Sequence, residues 1–118
     1  MICPYCNVEM KFSKASDFYG TRSYKNNIYH CDSCDARVGT HGRGNTPLGT
    51  PANANLRALR RKCHDLFDPM WKRKGYSRGG AYKWLQREME LSPEEAHIGK
   101  FNEEQCKKLM RKFGKRIR

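Results

Sequence analysis

The chain of 118 residues is long enough for one domain, or for one domain and a small module, and its 24 Lys and Arg against 12 Asp and Glu give a formal net charge of +12. This excess of positive charge favours a polyanionic partner, above all nucleic acid, although solubility alone would also account for it. No apolar stretch reaches the roughly 20 residues that span a bilayer, and residues 1–10 are too polar for a secretion signal, so we expect a cytoplasmic protein whose six cysteines favour metal over disulfides.

The first forty residues predict a small β module around two Cys-x-x-Cys turns. Val8, Met10 and Phe12 alternate with polar residues, and this period of two predicts a strand. Two further short strands are predicted at 28–30 and 36–38. The polar segment between the first two strands is predicted to be a loop that turns just before the second strand.

A glycine-rich stretch, residues 39–49, separates this module from a more basic remainder. Residues 1–50 hold six Lys and Arg against four Asp and Glu, a net charge of +2, whereas residues 51–118 hold eighteen against eight, a net charge of +10. We therefore divide the chain into a zinc ribbon at 1–39, a connector at 40–50 and a basic helical part at 51–118.

The helical part is predicted to begin with a long helix. Thr50 is a suitable N-cap, and Pro51 suits the first helical position. Apolar residues at three- and four-residue spacing then continue to Phe67. Pro69 ends the helix there, because proline cannot continue the backbone hydrogen bonding.

Three capping signals predict two more long helices and a short one. Ser77 is placed to cap the second long helix. Ser92 and Glu95 form a capping box that opens a short helical turn, and Asn102 and Gln105 form a second box that opens the last helix.

The two Cys-x-x-Cys turns, 24 residues apart, predict one four-thiolate zinc site. Four protein ligands leave no coordination position for water, so one structural Zn²⁺ is expected. A redox-active Cys-x-x-Cys turn normally follows a strand and opens a helix. The residues around these two turns do not predict that arrangement. His30 is a competing ligand, but the spacing favours its neighbour. The predicted ligands are Cys3, Cys6, Cys31 and Cys34.

The remaining cysteines and histidines allow two further hypotheses. A second metal site is the first, but the spacing is poor, and both cysteines lie on apolar helix faces where a free thiol is commonly buried. The second is acid–base or nuclease chemistry by His64 and Asp68, one helical turn apart, with His97. A role for His64 in helix packing is the simpler interpretation. The residues of the second metal hypothesis are Cys63, His64, His97 and Cys106.

Basic residues on the predicted helices are the candidates for phosphate contacts. The last helix carries no acidic residue after Glu104 to balance its charge. Such a stripe neutralises several phosphates and makes binding strongly salt-dependent, whereas a solvated helix face is the simpler alternative. The candidates are Arg57, Arg60, Arg61, Arg78, Lys83, Lys108, Arg111, Lys112 and Lys115.

Aromatic and glycine-rich segments add further candidates for contacts with nucleic acid. Tyr5, Tyr19 and Tyr24 belong to the predicted ribbon and are suited to stacking on bases. The segment 40–50 is a candidate phosphate cradle through its backbone N–H groups, although linkers have the same composition.

Several segments, spread over nearly the whole chain, together carry a resemblance to a known family. They are Cys3-Pro4-Tyr5-Cys6, Cys31-Asp32-Ser33-Cys34-Asp35-Ala36, Val38-Gly39-Thr40-His41, Pro47-Leu48-Gly49-Thr50, Asn53-Ala54-Asn55-Leu56-Arg57, His64-Asp65-Leu66-Phe67-Asp68-Pro69-Met70-Trp71, Ala81-Tyr82-Lys83-Trp84-Leu85 and His97-Ile98-Gly99-Lys100-Phe101. The combination is similar to small zinc-finger-containing proteins of unknown function found in phages and prophages. The resemblance implies a phage-encoded zinc-finger protein of the bacterial cytoplasm, and it implies no activity.

The sequence as a whole predicts an α+β fold, with an N-terminal four-cysteine zinc ribbon of short antiparallel strands packed on a C-terminal bundle of three to four helices. The leading functional hypothesis is binding of nucleic acid through the basic helix faces. The first alternative is a protein-binding effector that modulates a host enzyme or defence protein. The second alternative, and the less favoured class, is an enzyme: a nuclease using His64, Asp68 and His97.

Overall fold

The computed structural model describes residues 1–73 and 75–117, and for residues 115–117 it describes the backbone. The chain divides into two compact units, Met1–Asn55 and Leu56–Arg118. The fold class is α+β as predicted: among the described residues, a three-stranded antiparallel sheet in the first unit is followed by four α-helices. No described helix combines the length and apolar character that a membrane span requires.

The first unit contains three short strands and one short helix. The strands are β1 (Lys11–Lys14), β2 (Asn27–His30) and β3 (Arg37–Gly39), and helix α1 (Ala15–Tyr19) follows β1 directly. The sheet has the order β1-β2-β3, and both strand pairs are antiparallel. The predicted strands at 28–30 and 36–38 therefore exist within one residue of their predicted positions.

The alternating residues Val8, Met10 and Phe12, near β1, do not form one buried face, although a period of two predicts one. Met10 is buried, whereas Val8 and Phe12 are 44% and 49% exposed. Met10 packs in a small core with Cys3, Cys31 and Ala36. This core is only a few residues wide, so side chains two positions away on either side extend past it. Phe12 instead contacts the ring of Tyr29 across β1 and β2, with the centroids 4.9 Å apart.

Helix α1 lies in the segment that was expected to be a loop. Its first residue, Ala15, is buried and donates its backbone N–H to the Asn26 carbonyl at 3.0 Å. Gly20 ends the helix with a φ of 72°, a conformation that glycine adopts without steric cost. A helix of five residues is shorter than the window in which periodicity is visible, so the sequence pattern missed it.

Residues 40–50, predicted as a connector, fold back onto the sheet of the first unit. Thr40 is buried, and its N–H donates to the Asn27 carbonyl at 3.0 Å. The Leu48 N–H donates to the Gly39 carbonyl at 2.9 Å. These hydrogen bonds make the glycine-rich segment a structural part of the first unit.

The first long helix, α2 (Ala54–Phe67), begins after the predicted position, and neither Thr50 nor Pro51 caps it. Ala52 and Arg37 exchange two backbone hydrogen bonds of 3.1 Å each. Backbone groups engaged in this bridge are not available for a helix, so α2 starts beyond them. The predicted end at Phe67 is confirmed.

The second unit continues with helices α3 (Pro69–Lys72), α4 (Arg78–Met89) and α5 (Glu103–Ile117) and a 3₁₀ helix at Ile98–Lys100. The Ser77 hydroxyl accepts a hydrogen bond from Gly80 N–H at 2.9 Å, which confirms the predicted cap of α4. The Asn102–Gln105 box is confirmed by two reciprocal 2.9 Å bonds. The Ser92–Glu95 box also forms, but it closes a turn, and the short helices are α3 and the 3₁₀ segment instead.

The core of the second unit is formed by the apolar faces of α2, α4 and α5. Phe67 is fully buried, and its ring centroid lies 5.3 Å from that of Tyr82 and 6.5 Å from that of Trp84. Trp84 in turn contacts Phe113 of α5 at 5.2 Å. The three helices are thus joined by a chain of aromatic contacts.

Candidate metal centre and cationic surfaces

The two Cys-x-x-Cys turns have the same backbone structure. The Cys3 N–H donates to the Val8 carbonyl at 2.8 Å, and the Asn7 N–H donates to the Cys3 carbonyl at 2.9 Å. In the second turn, the Cys31 N–H donates to the Ala36 carbonyl at 2.9 Å, and the Asp35 N–H donates to the Cys31 carbonyl at 3.0 Å. Each turn is therefore a closed knuckle that presents two thiols on one side.

Asn7 and Asp35 occupy the same position in the two knuckles, and both have a positive φ, 57° and 61°. This left-handed conformation costs most residues about 1–2 kcal/mol, but Asn and Asp adopt it more readily. The residue types after each Cys-x-x-Cys motif thus match the backbone that the knuckle requires.

We expect Asn7→Val to weaken zinc binding about tenfold, because a β-branched side chain in the left-handed region costs about 1–2 kcal/mol and folding of the knuckle is coupled to metal binding. Asn7→Gly is the matched control and should bind zinc at least as well as the native protein. Competition titration with a fluorescent zinc chelator measures both affinities. Equal affinity of the Val and Gly variants would contradict the assigned role of the backbone.

The four thiols converge on one point. Their Sγ atoms all lie within 4.8 Å of one another, and the Cys3 and Cys34 sulfurs are 3.4 Å apart. Tetrahedral zinc with Zn–S bonds of about 2.3 Å places its sulfurs roughly 3.8 Å apart, whereas a disulfide needs about 2.05 Å. Cys3 and Cys31 are buried, and Cys6 and Cys34 are partly exposed. The donor set, spacing and enclosure fit one structural zinc ion with no open coordination position.

The thiols differ in how readily they ionise. A hydrogen bond with Cys34 and burial together raise the pKa of Cys6 to about 12. Burial also acts to raise the pKa of Cys31, but hydrogen bonds from the backbone N–H groups of Cys34 and Ser33, together with those from the Cys34 and Cys3 thiols, outweigh it and lower that pKa to about 7. The surroundings of Cys31 thus stabilise its thiolate, the form that binds zinc, whereas the pKa of Cys34 in the same knuckle is raised.

His30, the competing ligand candidate, does not join the cysteine cluster. Its Nδ1 lies 2.9 Å from Asp32 Oδ1, and its Nε2 lies 2.9 Å from the Ser13 hydroxyl. A carboxylate only accepts, which assigns the proton to Nδ1. Hydrogen bonds from Lys11 and then from His30 lower the pKa of Asp32. The imidazole therefore connects β1 and β2 to Asp32 of the second knuckle and does not itself act as a metal ligand.

The two remaining cysteines pack in the core of the second unit. Cys63 and Cys106 are fully buried, and the Cys63 thiol donates to the Cys106 carbonyl at 3.4 Å. Burial raises the pKa of Cys63 to about 12. His64 and His97 are exposed, and no second cluster of metal-binding side chains occurs in the part of the chain that the structure describes. The hypothesis of a second metal site has no support in this geometry.

His64 and Asp68 do form the predicted pair, with Nδ1 and Oδ1 3.3 Å apart. They line a shallow depression of ≈ 220 Å³ together with Lys72 and neighbouring side chains. His97 is not among its lining residues and instead lies 5.9 Å from the Tyr82 ring. His97 is therefore not part of the depression that His64 and Asp68 line.

Some predicted phosphate-binding residues are engaged within the second unit. The Arg60 Nε donates to the Phe101 carbonyl at 2.9 Å and ties α2 to the segment before α5. Arg57 is half-buried and also has a partner in the protein. The Arg78 guanidinium lies 5.4 Å from the Trp71 ring centroid. These contacts engage Arg60 and Arg78 within the second unit.

The other described candidates differ in their exposure. Lys108 Nζ lies 3.8 Å from a Glu90 carboxylate oxygen, a surface ion pair of little strength. The side chain of Lys115 lies outside the described part of the chain. Arg61, Lys83 and Arg111 are exposed, and Lys112 is half-buried.

A cationic cleft in the first unit was not predicted from the sequence. It has a volume of ≈ 590 Å³. Its basic residues are separated by up to 29 positions in the sequence, and one of them belongs to the predicted connector, so no sequence motif identified it. Tyr24, one of the predicted stacking residues, also lines it. The lining residues are Lys14, Ser16, Arg22, Tyr24, Lys25, Asn26, Asn27 and Arg43.

Comparison with known proteins agrees with the metal centre. The zinc-finger-containing domain family matches residues 1–116, and the chain belongs to this family. No curated protein and no solved structure matched the chain. The family and the four converging thiols together support a zinc-finger domain with one structural zinc ion.

Proposed function

We propose that this protein binds nucleic acid through the cationic face of α5, with the zinc knuckles as a structural module. The supporting observation is the division of α5 into two faces. Cys106, Leu109 and Phe113 are buried, whereas Lys107 and Arg111 are exposed. No Asp or Glu follows Glu104 in the sequence.

The like charges on α5 lie where they repel one another. Lys107 and Arg111, and Lys108 and Lys112, are four residues apart and adjacent on the helix surface. Each such pair costs an isolated helix about 0.2–0.5 kcal/mol. Phosphates that bind along this face would relieve the repulsion and release the counterions of the nucleic acid.

Fluorescence anisotropy with labelled single-stranded and duplex oligonucleotides across a salt series tests the proposal. For the native protein, the logarithm of the binding constant should fall linearly with the logarithm of the salt concentration, with a slope of about −0.7 to −0.9 per phosphate contact. The variant Lys107→Gln/Arg111→Gln/Lys112→Gln should flatten that slope by about two to three and bind at least about tenfold more weakly at low salt.

The matched control removes three other exposed charges of the second unit, Lys62→Gln/Arg73→Gln/Arg87→Gln. It has the same net charge as the α5 variant, so a difference between the two reports position rather than total charge. Failure to bind any oligonucleotide at low salt, or binding that does not respond to salt, would overturn the proposal.

We also infer a phage or prophage origin and action in the bacterial cytoplasm. The support is the sequence resemblance carried by the two Cys-x-x-Cys motifs and by segments such as 64–71 and 97–101. The genes on either side of the coding sequence test this inference, since phage genes are expected there. A locus of housekeeping genes in unrelated genomes would contradict it.

A further inference from the structure

The cationic cleft of the first unit concentrates positive charge without compensation. Four cations line it, and no carboxylate does. Within the described part of the chain, none of the four forms an ion pair with an acidic side chain. Cations gathered in a concave surface raise the local potential and favour an anionic ligand. The four cations of this cleft are Lys14, Arg22, Lys25 and Arg43.

The wall of the cleft is held by hydrogen bonds between separate segments. Asn27 Nδ2 donates to the carbonyls of Arg43 and Gly44 at 2.8 and 3.0 Å. The Asn27 N–H also donates to the Thr40 hydroxyl at 3.0 Å, and Asn26 Nδ2 donates to the Thr40 carbonyl at 3.3 Å. The segment that carries Arg43 is therefore fixed to the start of β2, and such preorganisation lowers the entropic cost of binding.

An exposed aromatic pair stands at the same cleft. Tyr24 lines it and is 45% exposed. Its ring lies 4.6 Å from that of Tyr19, at an interplanar angle of 30°, and Tyr19 is 41% exposed. The Arg37 guanidinium lies 5.4 Å from the Tyr19 centroid. Aromatic faces beside clustered cations are the combination that binds unpaired nucleic acid, with phosphates on the cations and bases on the rings.

We propose that this cleft binds the phosphodiester backbone of a single nucleic-acid strand while Tyr24 stacks on a neighbouring base. The inference rests on the proposed nucleic-acid binding and assigns the unpaired strand to the first unit. A cleft of ≈ 590 Å³ has the size of a small-molecule site and admits a nucleotide. Stacking also requires a base that is not already paired.

The test is titration of the full-length, zinc-loaded protein with a thymidine decamer, followed through backbone amide chemical shifts. We expect shifts at residues 25–27 and 43–44. Lys14→Gln/Arg22→Gln/Lys25→Gln should weaken binding at this site at least about tenfold. Tyr24→Leu should weaken it about tenfold, and Tyr24→Phe, which keeps the aromatic face, should bind like the native protein.

Three other ligands distinguish the sources of the negative charge: a blunt-ended duplex without a loop, inorganic phosphate and polyglutamate. We expect each of these ligands to bind the cleft with an affinity at least about tenfold lower than that of the decamer, as measured from the shifts of the cleft amides. Equal binding of any of them, or equal affinity of the Tyr24→Leu and Tyr24→Phe variants, would overturn it.

The outcome separates this site from the function proposed for α5. Shifts confined to α5 with unchanged amides at 25–27 and 43–44 would overturn the cleft and leave the α5 proposal standing. Shifts confined to the cleft amides would overturn the α5 proposal and leave the cleft standing. The Lys62→Gln/Arg73→Gln/Arg87→Gln variant controls for lost charge, and zinc content and the amide spectrum of each variant establish that it is folded.

Discussion

Removal of zinc is expected to unfold residues 1–55. Across this unit, all of it described, the buried apolar side chains larger than alanine or cysteine are Met10, Ile28 and Pro51. Three such side chains cannot offset the conformational entropy of ordering the segment. Binding of structural zinc by four thiolates contributes about 10–16 kcal/mol of apparent free energy, and this free energy is coupled to folding.

Amide hydrogen exchange of the full-length protein, with and without a strong chelator, measures the effect. Protection at β1, β2 and β3 should be lost without zinc, whereas protection in α4 and α5 should persist, because their core is apolar. Cys31→Ser should reproduce the chelated state, and Cys63→Ser, which keeps a donor for the Cys106 carbonyl, should retain the zinc. Persistent protection of the strands after complete zinc removal would contradict the prediction.

Phe67→Ala is expected to destabilise the second unit by about 3–5 kcal/mol. The Phe67 ring is fully buried and packs against the rings of Tyr82 and Trp84, so truncation leaves a cavity between α2 and α4. Domains have about 5–15 kcal/mol of stability in total. The substitution therefore removes a large part of it and lowers the denaturant midpoint accordingly.

Urea unfolding followed by the helical circular dichroism signal measures this loss. The matched control is Tyr76→Ala, which truncates an exposed aromatic residue of the same unit and should change stability by less than about 0.5 kcal/mol. A Phe67→Ala midpoint equal to that of the control would show that the ring does not contribute to the core.

The sequence was informative wherever structure depends on a few residues at close spacing. Two Cys-x-x-Cys motifs identified the zinc site, because a knuckle is a local turn whose thiol positions follow from the spacing. Ser77 and the Asn102–Gln105 pair identified the starts of α4 and α5, because a cap is a hydrogen bond between residues three positions apart.

Tertiary contacts decided the features that pattern analysis missed. The start of α2 depends on the bridge between Ala52 and Arg37, and the position of residues 40–50 depends on hydrogen bonds to β2. Periodicity along the chain carries no information about such distant partners. The His64–Asp68 pair, by contrast, is a contact four residues apart in the sequence, and spacing alone predicted it.

The identity of the zinc ligands and the excess of positive charge were thus determined by the sequence itself. Only the tertiary structure decided which cations lie together on one surface. Arg60 is held by a backbone carbonyl of the second unit, whereas Lys14, Lys25 and Arg43 meet in one cleft of the first. Charge is a property of each residue, but a binding surface requires that separate segments fold together.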